Sequence, residues 1–265
     1  MKSNEMPKML LLGIGGGGCR LALEVRNQYG EGIRVVCADT DAMTSRMEPV
    51  PGVTAMLLGG SRLAGAGTGG DPVQGRLAAQ DDFKGLTDHL QGVRTVVVVA
   101  CLGGGTGGGS TAEIVKQLHD AGLATFCFVT RPFSFEGNER QLTANRILPI
   151  IEENADSLVT VSQDELYSDV GDVELSVAAR EADHVLAQGI TLLWRLLTSP
   201  GFIRMDPEKL HRMIIHGGNA RMGFFSASGE DREKACLKGL ASSSLLLKGE
   251  ALKKAQALLV GILAG

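Results

Sequence analysis

The chain has 265 residues, of which 44% are hydrophobic and 21% charged, so it is long enough for one large domain or two modest domains with a hydrophobic core. The formal net charge is -4 and no stretch combines Lys and Arg with aromatic residues, so nucleic acid is not expected as a partner. The five cysteines are dispersed without a C-x-x-C pair and no apolar run has the length of a membrane span, which predicts a cytoplasmic protein without direct membrane insertion.

Six continuous apolar runs have the length of buried strands, at residues 8–15, 33–40, 53–59, 94–103, 123–130 and 156–163. Continuous runs are typical of strands covered on both faces. Amphipathic stretches lie between them, and in one of these Ser110 and Glu113 have the spacing of a capping box, with Gly122 suited to the position after the last turn. The alternation predicts the α/β class, with a mostly parallel, Rossmann-like sheet flanked by helices.

A long amphipathic pattern follows at residues 173–201, with apolar residues spaced by three and four and with Pro200 and Gly201 at its end. A helix of about 25 residues at 1.5 Å per residue is roughly 37 Å long, which is the length of a small domain. Beyond it, residues 220–228 and 256–265 resemble strands on either side of a helical stretch at 229–243. We therefore predict a first domain at residues 1–172, a long central helix at 173–199 and a partial second α+β domain at 200–265.

Two glycine-rich stretches each follow a predicted strand. The first, Gly13 to Gly18, matches G-x-G-x-x-G, and Asp39 lies near the end of the next strand, where dinucleotide-binding folds place a ribose-binding acid. Alone, this pattern favours a nicotinamide cofactor. The chain has no evident catalytic His or Tyr-Lys pair for such chemistry, and its five histidines lack the spacing of metal ligands, so no protein metal site is predicted.

The second stretch, Gly103 to Gly109, has six glycines in seven positions before a predicted helix. Glycine lets the backbone wrap closely around an anion, the helix N-terminus adds a favourable dipole, and Thr106 and Ser110 can add hydroxyl donors. The alternative is a turn whose glycines relieve crowding at a strand end. No Lys follows the last glycine, so this is not a Walker loop. One polyphosphate nucleotide is the simplest ligand that two such loops of one sheet can share.

The stretch GGGTGGGS resembles the signature loop of the FtsZ/tubulin superfamily. Further segments resemble FtsZ in the same order along the chain: VTRPFSFEGNER, VSQDEL, READHVL, LLTSPGFIRMD and SASGEDREK. The resemblance implies the tubulin/FtsZ GTPase fold, with the nucleotide-binding GTPase domain at residues 1–172. It also implies binding of GTP or GDP with Mg²⁺, GTP hydrolysis, and head-to-tail polymerisation into cytoskeletal filaments that act in cell division.

The resemblance assigns phosphate contacts to the glycine loops and base or ribose contacts to charged residues. It implies that the phosphates are bound by Gly16, Gly17, Gly18, Gly103, Gly104, Gly105, Thr106, Gly107 and Gly108. Glu136 and Arg140 match residues at the ribose and phosphates, and Asp183 matches an acid that hydrogen-bonds guanine. A carboxylate can accept both the N1–H and the exocyclic amine of guanine. Without the resemblance, Asp183 would be a solvated helix acid, and Glu136 and Arg140 a surface ion pair.

Four positions of the predicted nucleotide site depart from the FtsZ pattern. Arg20, Asp39 and Gln163 stand where FtsZ usually has Asn, and Ala179 stands where an aromatic ring commonly stacks on the base. The first three are still predicted to contact the nucleotide. Loss of the aromatic ring is expected to weaken base binding.

In FtsZ and tubulin, acidic residues after the central helix complete the active site of the next subunit. This chain has RMDPEK there, so Asp206 keeps the first acid, Lys209 replaces the second, and Glu208 lies beside it. We predict Asp206 and Glu208 as catalytic residues and slow hydrolysis, because Lys cannot accept a hydrogen bond from the attacking water. Two alternatives stay open, a non-hydrolysing nucleotide-binding filament or regulatory protein and, less favoured, an NAD-dependent oxidoreductase.

The chain is shorter than FtsZ, which predicts a reduced or truncated C-terminal domain without the linker and terminal peptide that recruit membrane adaptors. The resemblance implies that the partner is a second copy of the chain, in an open head-to-tail contact. A membrane adaptor protein stays a further candidate.

Overall fold

The structure is a computed structural model that describes residues 9–30, 32–45, 50–170, 174–199 and 206–263. Its strands are β1 (Met9–Ile14), β2 (Val35–Asp39), β3 (Val53–Leu57), β4 (Thr95–Cys101), β5 (Ala124–Arg131), β6 (Ser157–Ser162) and β7 (Gly218–Ala220). They form one sheet in the order β3-β2-β1-β4-β5-β6-β7, and every neighbouring pair is parallel. The chain order reverses between β1 and β4, and ligands of open parallel sheets bind beyond the carboxyl ends of the strands at such a reversal.

Helices cover both faces of this sheet. They are α1 (Gly15–Tyr29), α2 (Ala42–Ser45), α3 (Gly60–Leu63), α4 (Pro72–Thr87), α5 (Thr111–Asp120), α6 (Asn138–Asn154), α7 (Gln163–Val170), α8 (Leu175–Thr198), α9 (Pro207–Ile215), α10 (Arg232–Ser242) and α11 (Glu250–Lys254). Successive strand residues point to opposite faces, so Leu11 and Val97 pack with α1 and α8, while Leu12 and Val98 pack with α4, α5 and α6. The predicted α/β class and parallel sheet are confirmed.

All six predicted strands are present, but one of them differs in burial. Thr54 and Ala55 of β3 are exposed, whereas continuous apolar runs predict two covered faces. The reason is that β3 is the edge strand and lies at the margin of both hydrophobic layers.

The predicted long helix is confirmed as α8, which has 24 residues and packs along α1. Trp194 is buried there, with its ring 6.3 Å from that of Tyr29 in an edge-on arrangement. The hydroxyl groups of Tyr29 and Thr198 are 2.9 Å apart. Pro200 and Gly201 lie outside the described residues, and the division into three domains stays a prediction.

The two strands predicted after α8 are wrong over the residues that the structure describes. β7 ends at Ala220, and residues 221–228 and 256–263 have no regular secondary structure. Ala220 pairs with Val159 of β6, so the short β7 extends the main sheet, but the described residues that follow Ala220 leave this pairing although β6 continues to Ser162. The helix predicted at 229–243 is confirmed as α10. Within the described ranges, none of the helices has the length and apolar character needed to cross a membrane.

Candidate nucleotide-binding site

The first glycine stretch joins β1 directly to α1, which begins at Gly15. Gly15 has φ +71°, and a Cβ added there would lie 2.9 Å from the backbone nitrogen of Gly107. A Cβ on Gly17 would lie 2.6 Å from the sulfur of Cys101, the last residue of β4. The two glycine stretches therefore touch each other at the reversal between β1 and β4, as expected if they share a ligand.

The second stretch forms a π-helical turn, Gly105–Ser110, that leads into α5. The N-terminal turn of α4 crosses this turn backbone against backbone: a Cβ on Gly75 would clash with the carbonyl oxygen of Gly105, and a Cβ on Gly109 would clash with that of Pro72. Gly75 was missed by the sequence analysis, although a glycine inside a predicted helix is a recognisable signal of close packing.

The glycines of the second stretch do not all face the same surroundings. Cβ atoms on Gly105, Gly107 and Gly109 would collide with protein backbone, so the crowding interpretation holds for these three positions. A Cβ on Gly104 would meet nothing within 4 Å, and Gly104 has φ -90°. Gly104 therefore borders open space that a ligand can enter.

The predicted capping box at α5 is wrong. Ser110 is itself helical, with φ -66° and ψ -37°, because the π-helical turn continues into α5 without a break. Its hydroxyl is fully buried and donates to the carbonyl oxygen of Gly75 at 2.8 Å, while Glu113 accepts from Gln117 at 2.8 Å. Ser110 is thus not available as a phosphate donor. The hydroxyl of Thr106 lies 2.6 Å from that of Thr40, at the end of β2.

Asp39 is the last residue of β2, and its carboxylate organises the turn that follows. It is 5% exposed and accepts hydrogen bonds at 2.8 Å from the backbone N–H of Thr40 and at 2.8 Å from the hydroxyl of Thr44. A Cβ on Gly16 would lie 3.7 Å from Asp39 Oδ2. Asp39 is therefore beside the first glycine stretch, with part of its hydrogen-bonding capacity already used.

Glu136 and Arg140 lie after β5 and border the second glycine stretch. Arg140 Nη1 donates to Glu136 Oε2 at 2.6 Å, and the N–H of Phe133 donates to Glu136 Oε1 at 2.9 Å. A Cβ on Gly103 would lie 3.2 Å from Arg140 Cβ. Gln163 begins α7 directly after β6, so it also lies at the carboxyl edge of the sheet.

Asp183 on α8 forms an ion pair with Arg20 on α1, with 2.7 Å between Asp183 Oδ2 and Arg20 Nε. The side chain of Asp183 is 17% exposed and that of Arg20 is 63% exposed. The hydrogen bond to Asp183 raises the pKa of Arg20 above its already high usual value. Cys101, the last residue of β4, interacts electrostatically with Asp183, Arg20 and Glu136. The side chain of Ala179 lies outside the described part of the chain.

Asp206 and Glu208 lie at the opposite edge of the sheet from the glycine stretches. The carboxylate of Asp206 accepts from the backbone N–H of Glu208 at 3.0 Å, as a cap of α9. Glu208 borders a depression of about 530 Å³ together with Arg94 and Ala124, which lie at the amino ends of β4 and β5. A seven-residue strand such as β4 is about 20 Å long, so the structure does not bring these acids to the loops of the same chain.

A parallel sheet with two glycine-rich turns at its reversal defines a doubly wound α/β protein of the nucleotide-binding type. The sequence also matches the model of the Tubulin/FtsZ family, GTPase domain, over residues 8–171. The chain therefore belongs to the tubulin/FtsZ family.

Relatives and solved structures agree with this assignment. The chain is 32% identical over 262 residues to the cell division protein FtsZ of Pseudomonas putida, covering 98% of this chain and 65% of that protein. It is 30% identical over 242 residues to FtsZ of Helicobacter pylori strain 26695, covering 90% of this chain and 62% of that protein. The chain thus spans somewhat less than two thirds of the length of these relatives.

Among solved structures, an empty FtsZ dimer from M. jannaschii superimposes with a TM-score of 0.85 at 28% identity, covering 92% of this chain and 71% of that one. A GTPgS-bound protofilament of CetZ2 from Haloferax volcanii gives a TM-score of 0.69 at 25% identity, covering 80% of this chain and 64% of that one.

Proposed function

We propose that this chain binds GTP at the carboxyl edge of its sheet, polymerises head to tail into cytoplasmic filaments that act in cell division, and hydrolyses GTP slowly at the contact between subunits. The observation that carries this proposal is the separation of the glycine stretches from Asp206 and Glu208. These groups lie at opposite edges, about 20 Å apart, so one chain cannot bring its own acids to its own nucleotide. Two copies stacked in the same orientation bring the acids of one to the loops of the other.

The carboxyl edge suits a nucleoside triphosphate. Gly104 faces open space, and the backbone around it is held by contacts with α4 and α1. The dipole of α5 points its positive end toward the same edge and favours an anion there. In this assignment Glu136 and Arg140 lie at the ribose and phosphates, and Asp183 and Arg20 lie at the base.

Mg²⁺ fits this site only when it is bound together with the nucleotide, through the phosphates. Among the described residues, no cluster of three or more His, Cys, Asp and Glu side chains could hold a metal ion. Mg²⁺ is commonly bound through substrate phosphates with few protein ligands, and when bound it supplies charge neutralisation at those phosphates. The hydroxyls of Thr106, within the loop, and Thr40, beside it, are two of the protein oxygens at this site.

The amino edge of the sheet carries carboxylates that can orient the attacking water molecule. Asp206 and Glu208 are both exposed there, and a carboxylate can accept a proton or a hydrogen bond from the attacking water. Lys209 is also exposed at this edge and cannot act as an acceptor. For this reason we propose slow turnover, and a filament that binds GTP without useful hydrolysis is the second candidate.

Right-angle light scattering with GTP and Mg²⁺, with phosphate release followed in parallel, separates these candidates. Scattering together with phosphate release supports the proposed GTPase filament. Scattering without release selects the non-hydrolysing filament. Absence of both signals, with GTP and Mg²⁺ in excess, refutes the proposal.

The shared site is tested by mixing two defective variants. Asp206→Asn keeps the cap of α9 because Asn is a good N-cap, but it removes the charge. Gly104→Asp fits the open space and places a negative charge where phosphate is expected, and Gly104→Ser is its neutral control.

Each of the two defective variants, Asp206→Asn and Gly104→Asp, should lose GTP turnover when it is assayed alone. In an equimolar mixture, random contacts combine an intact loop edge with an intact acid edge about a quarter of the time, so up to about a quarter of the turnover should return. A mixture as inactive as its components would exclude the shared site.

A further inference from the structure

Three of the five histidines of the chain border one depression, of about 530 Å³, at the amino edge of the sheet. His119 lies at the end of α5, His211 lies on α9, and His216 follows α9. Among the described residues, their imidazole rings have no hydrogen-bond or ion-pair partner. By contrast, the ring of His184 on α8 lies 3.0 Å from Gln28 Nε2. The three rings at the depression are therefore available to a partner outside this part of the chain.

The net charge of the depression depends on whether these histidines are protonated. The other charged side chains of its lining are Arg94 before β4, Asp156 before β6 and Glu208 on α9. With neutral histidines, one cation faces two carboxylates and the lining has a net charge of -1, whereas with three protonated histidines the net charge is +2. Histidine is the side chain that ordinarily makes this change between pH 5 and 8. Neighbouring charged residues of α5 and α9 lie outside the lining, and residues of their types keep their charge over this range: Lys116, Asp120, Lys209 and Arg212.

The edge that the proposed head-to-tail contact places against this depression is anionic. The phosphates of a bound nucleotide are negatively charged, and exposed carboxylates lie around the candidate site, at Asp41, Asp71 and Glu139. Arg20 and Arg140 are also exposed there, but each is already paired with a carboxylate. An anionic edge repels a depression with a net negative charge and attracts one with a net positive charge.

We propose that this depression is the docking surface for the nucleotide edge of a second copy of the chain, and that protonation of His119, His211 and His216 strengthens the contact. Filaments therefore assemble more readily as the pH falls from 8 to 6. This inference rests on the proposed function, because it concerns the same head-to-tail contact. An exposed ion pair changes affinity by about two- to fivefold, so three of them together amount to about tenfold.

The test measures the critical concentration for assembly by right-angle light scattering between pH 8 and pH 6. A non-hydrolysable GTP analogue with Mg²⁺ is used, so that hydrolysis does not shorten the filaments. For the unaltered chain we expect the critical concentration to fall about tenfold over this range. In a variant that combines His119→Gln, His211→Gln and His216→Gln, it should fall less than about twofold. The terminal phosphate titrates in the same way with both proteins, so the difference between the two profiles measures the three imidazoles.

A second triple variant tests the same positions by a gain of assembly, which loss of folding cannot imitate. It combines His119→Lys, His211→Lys and His216→Lys, and Lys keeps its positive charge at pH 8. This variant should assemble at pH 8 about as well as the unaltered chain does at pH 6. At high salt its advantage should shrink, because exposed charges are then screened.

The remaining two histidines supply matched controls. His184→Gln changes an exposed ring on α8, and His89→Gln changes a ring that precedes β4 at the amino edge but lies outside the depression. Both variants should keep the tenfold change in critical concentration. An effect of His89→Gln as large as that of the triple Gln variant would contradict the assignment to the depression.

The possible failures are distinguishable. If the unaltered chain assembles but its critical concentration does not fall toward pH 6, or falls equally in the triple Gln variant, the inference is overturned and the head-to-tail filament stands. If nucleotide produces no scattering at any pH, the proposed function fails and the inference fails with it. A fall that the triple Gln variant loses, that both controls keep and that the triple Lys variant makes independent of pH supports the inference.

Discussion

The crossing of α4 over the second glycine stretch gives a sharp test of the structure, through the variant Gly75→Ala. A Cβ at this position would clash with the carbonyl oxygen of Gly105 and would lie 2.9 Å from its carbonyl carbon and 3.2 Å from the backbone nitrogen of Ser110. All three neighbours are backbone atoms, so no flexible side chain can move aside. α4 and the loop must separate, and the hydrogen bond from Ser110 Oγ to the Gly75 carbonyl is stretched with them.

The size of the effect follows from two opposing contributions. Overpacking of a tight interior typically costs about 1–3 kcal/mol, and replacement of Gly by Ala inside a helix contributes up to about 1 kcal/mol of stability. Gly85→Ala on the same helix is the matched control, because its Cβ would meet only the flexible end of Met56, at 3.3 Å. We expect Gly75→Ala to lower the free energy of unfolding by about 1–2 kcal/mol and Gly85→Ala to leave it equal or slightly raised.

The assay is urea unfolding of the nucleotide-free chain, with the midpoint and the slope compared among the two variants and the unaltered chain. Fluorescent GTP binding is measured on the same samples, and it should weaken for Gly75→Ala because the displaced turn begins directly after Gly104. If Gly75→Ala were as stable as Gly85→Ala and bound nucleotide equally well, the close backbone crossing would be wrong.

Three further predictions concern single side chains. Ser110→Ala removes a buried hydrogen bond to α4 and should lower the free energy of unfolding by about 1 kcal/mol, measured by urea unfolding; an unchanged midpoint would contradict this contact. Burial raises the pKa of the Cys127 thiol, so at pH 8 Cys127 should be alkylated far more slowly than the half-buried Cys236 on α10. Peptide mass spectrometry measures both alkylation rates, and equal rates would contradict the burial of Cys127. A hydrogen bond from Gln28 lowers the pKa of Glu24, so Glu24→Gln should reduce stability near neutral pH. In thermal unfolding, the difference in stability from the unaltered chain should disappear as the pH falls through the lowered pKa. A difference that does not depend on pH would argue against the hydrogen bond between Gln28 and Glu24.

Most of the sheet could be predicted from the sequence because its strands are continuous apolar runs separated by amphipathic helices. The same signal failed at residues 220–228 and 256–263, where apolar residues lie in the described chain without forming strands. Leu258, Val260 and Ile262 are exposed, so local hydrophobicity alone did not report burial there. A strand also needs backbone hydrogen bonds to a neighbour, and strand pairing is a property of the whole fold. The edge position of β3 is of the same kind, because strand order is set by tertiary packing.

The sequence predicted the edge of the sheet at which the candidate site lies better than it predicted the hydrogen bonds and ion pairs within that site. The glycine stretches, Glu136 and Gln163 follow strands and Asp39 ends one, and the carboxyl ends of parallel strands meet at one edge. The pair of Arg20 with Asp183 could not be predicted, because it depends on how α8 packs along α1. The capping box failed because a spacing that fits a cap also fits the interior of a π-helical turn running into α5.

The glycines of the second stretch serve two physical purposes, and the structure separates them. Gly105 and Gly109 are glycine because the backbone of Asp71 and Pro72, where α4 begins, passes too close for any side chain, whereas a Cβ on Gly104 would have no protein atom within 4 Å. A tight backbone crossing fixes the turn in place, and a fixed turn holds Gly104 in one geometry before any ligand arrives, which lowers the entropy that binding has to overcome. A substitution at Gly109 is therefore expected to act first on folding, and a substitution at Gly104 first on the ligand.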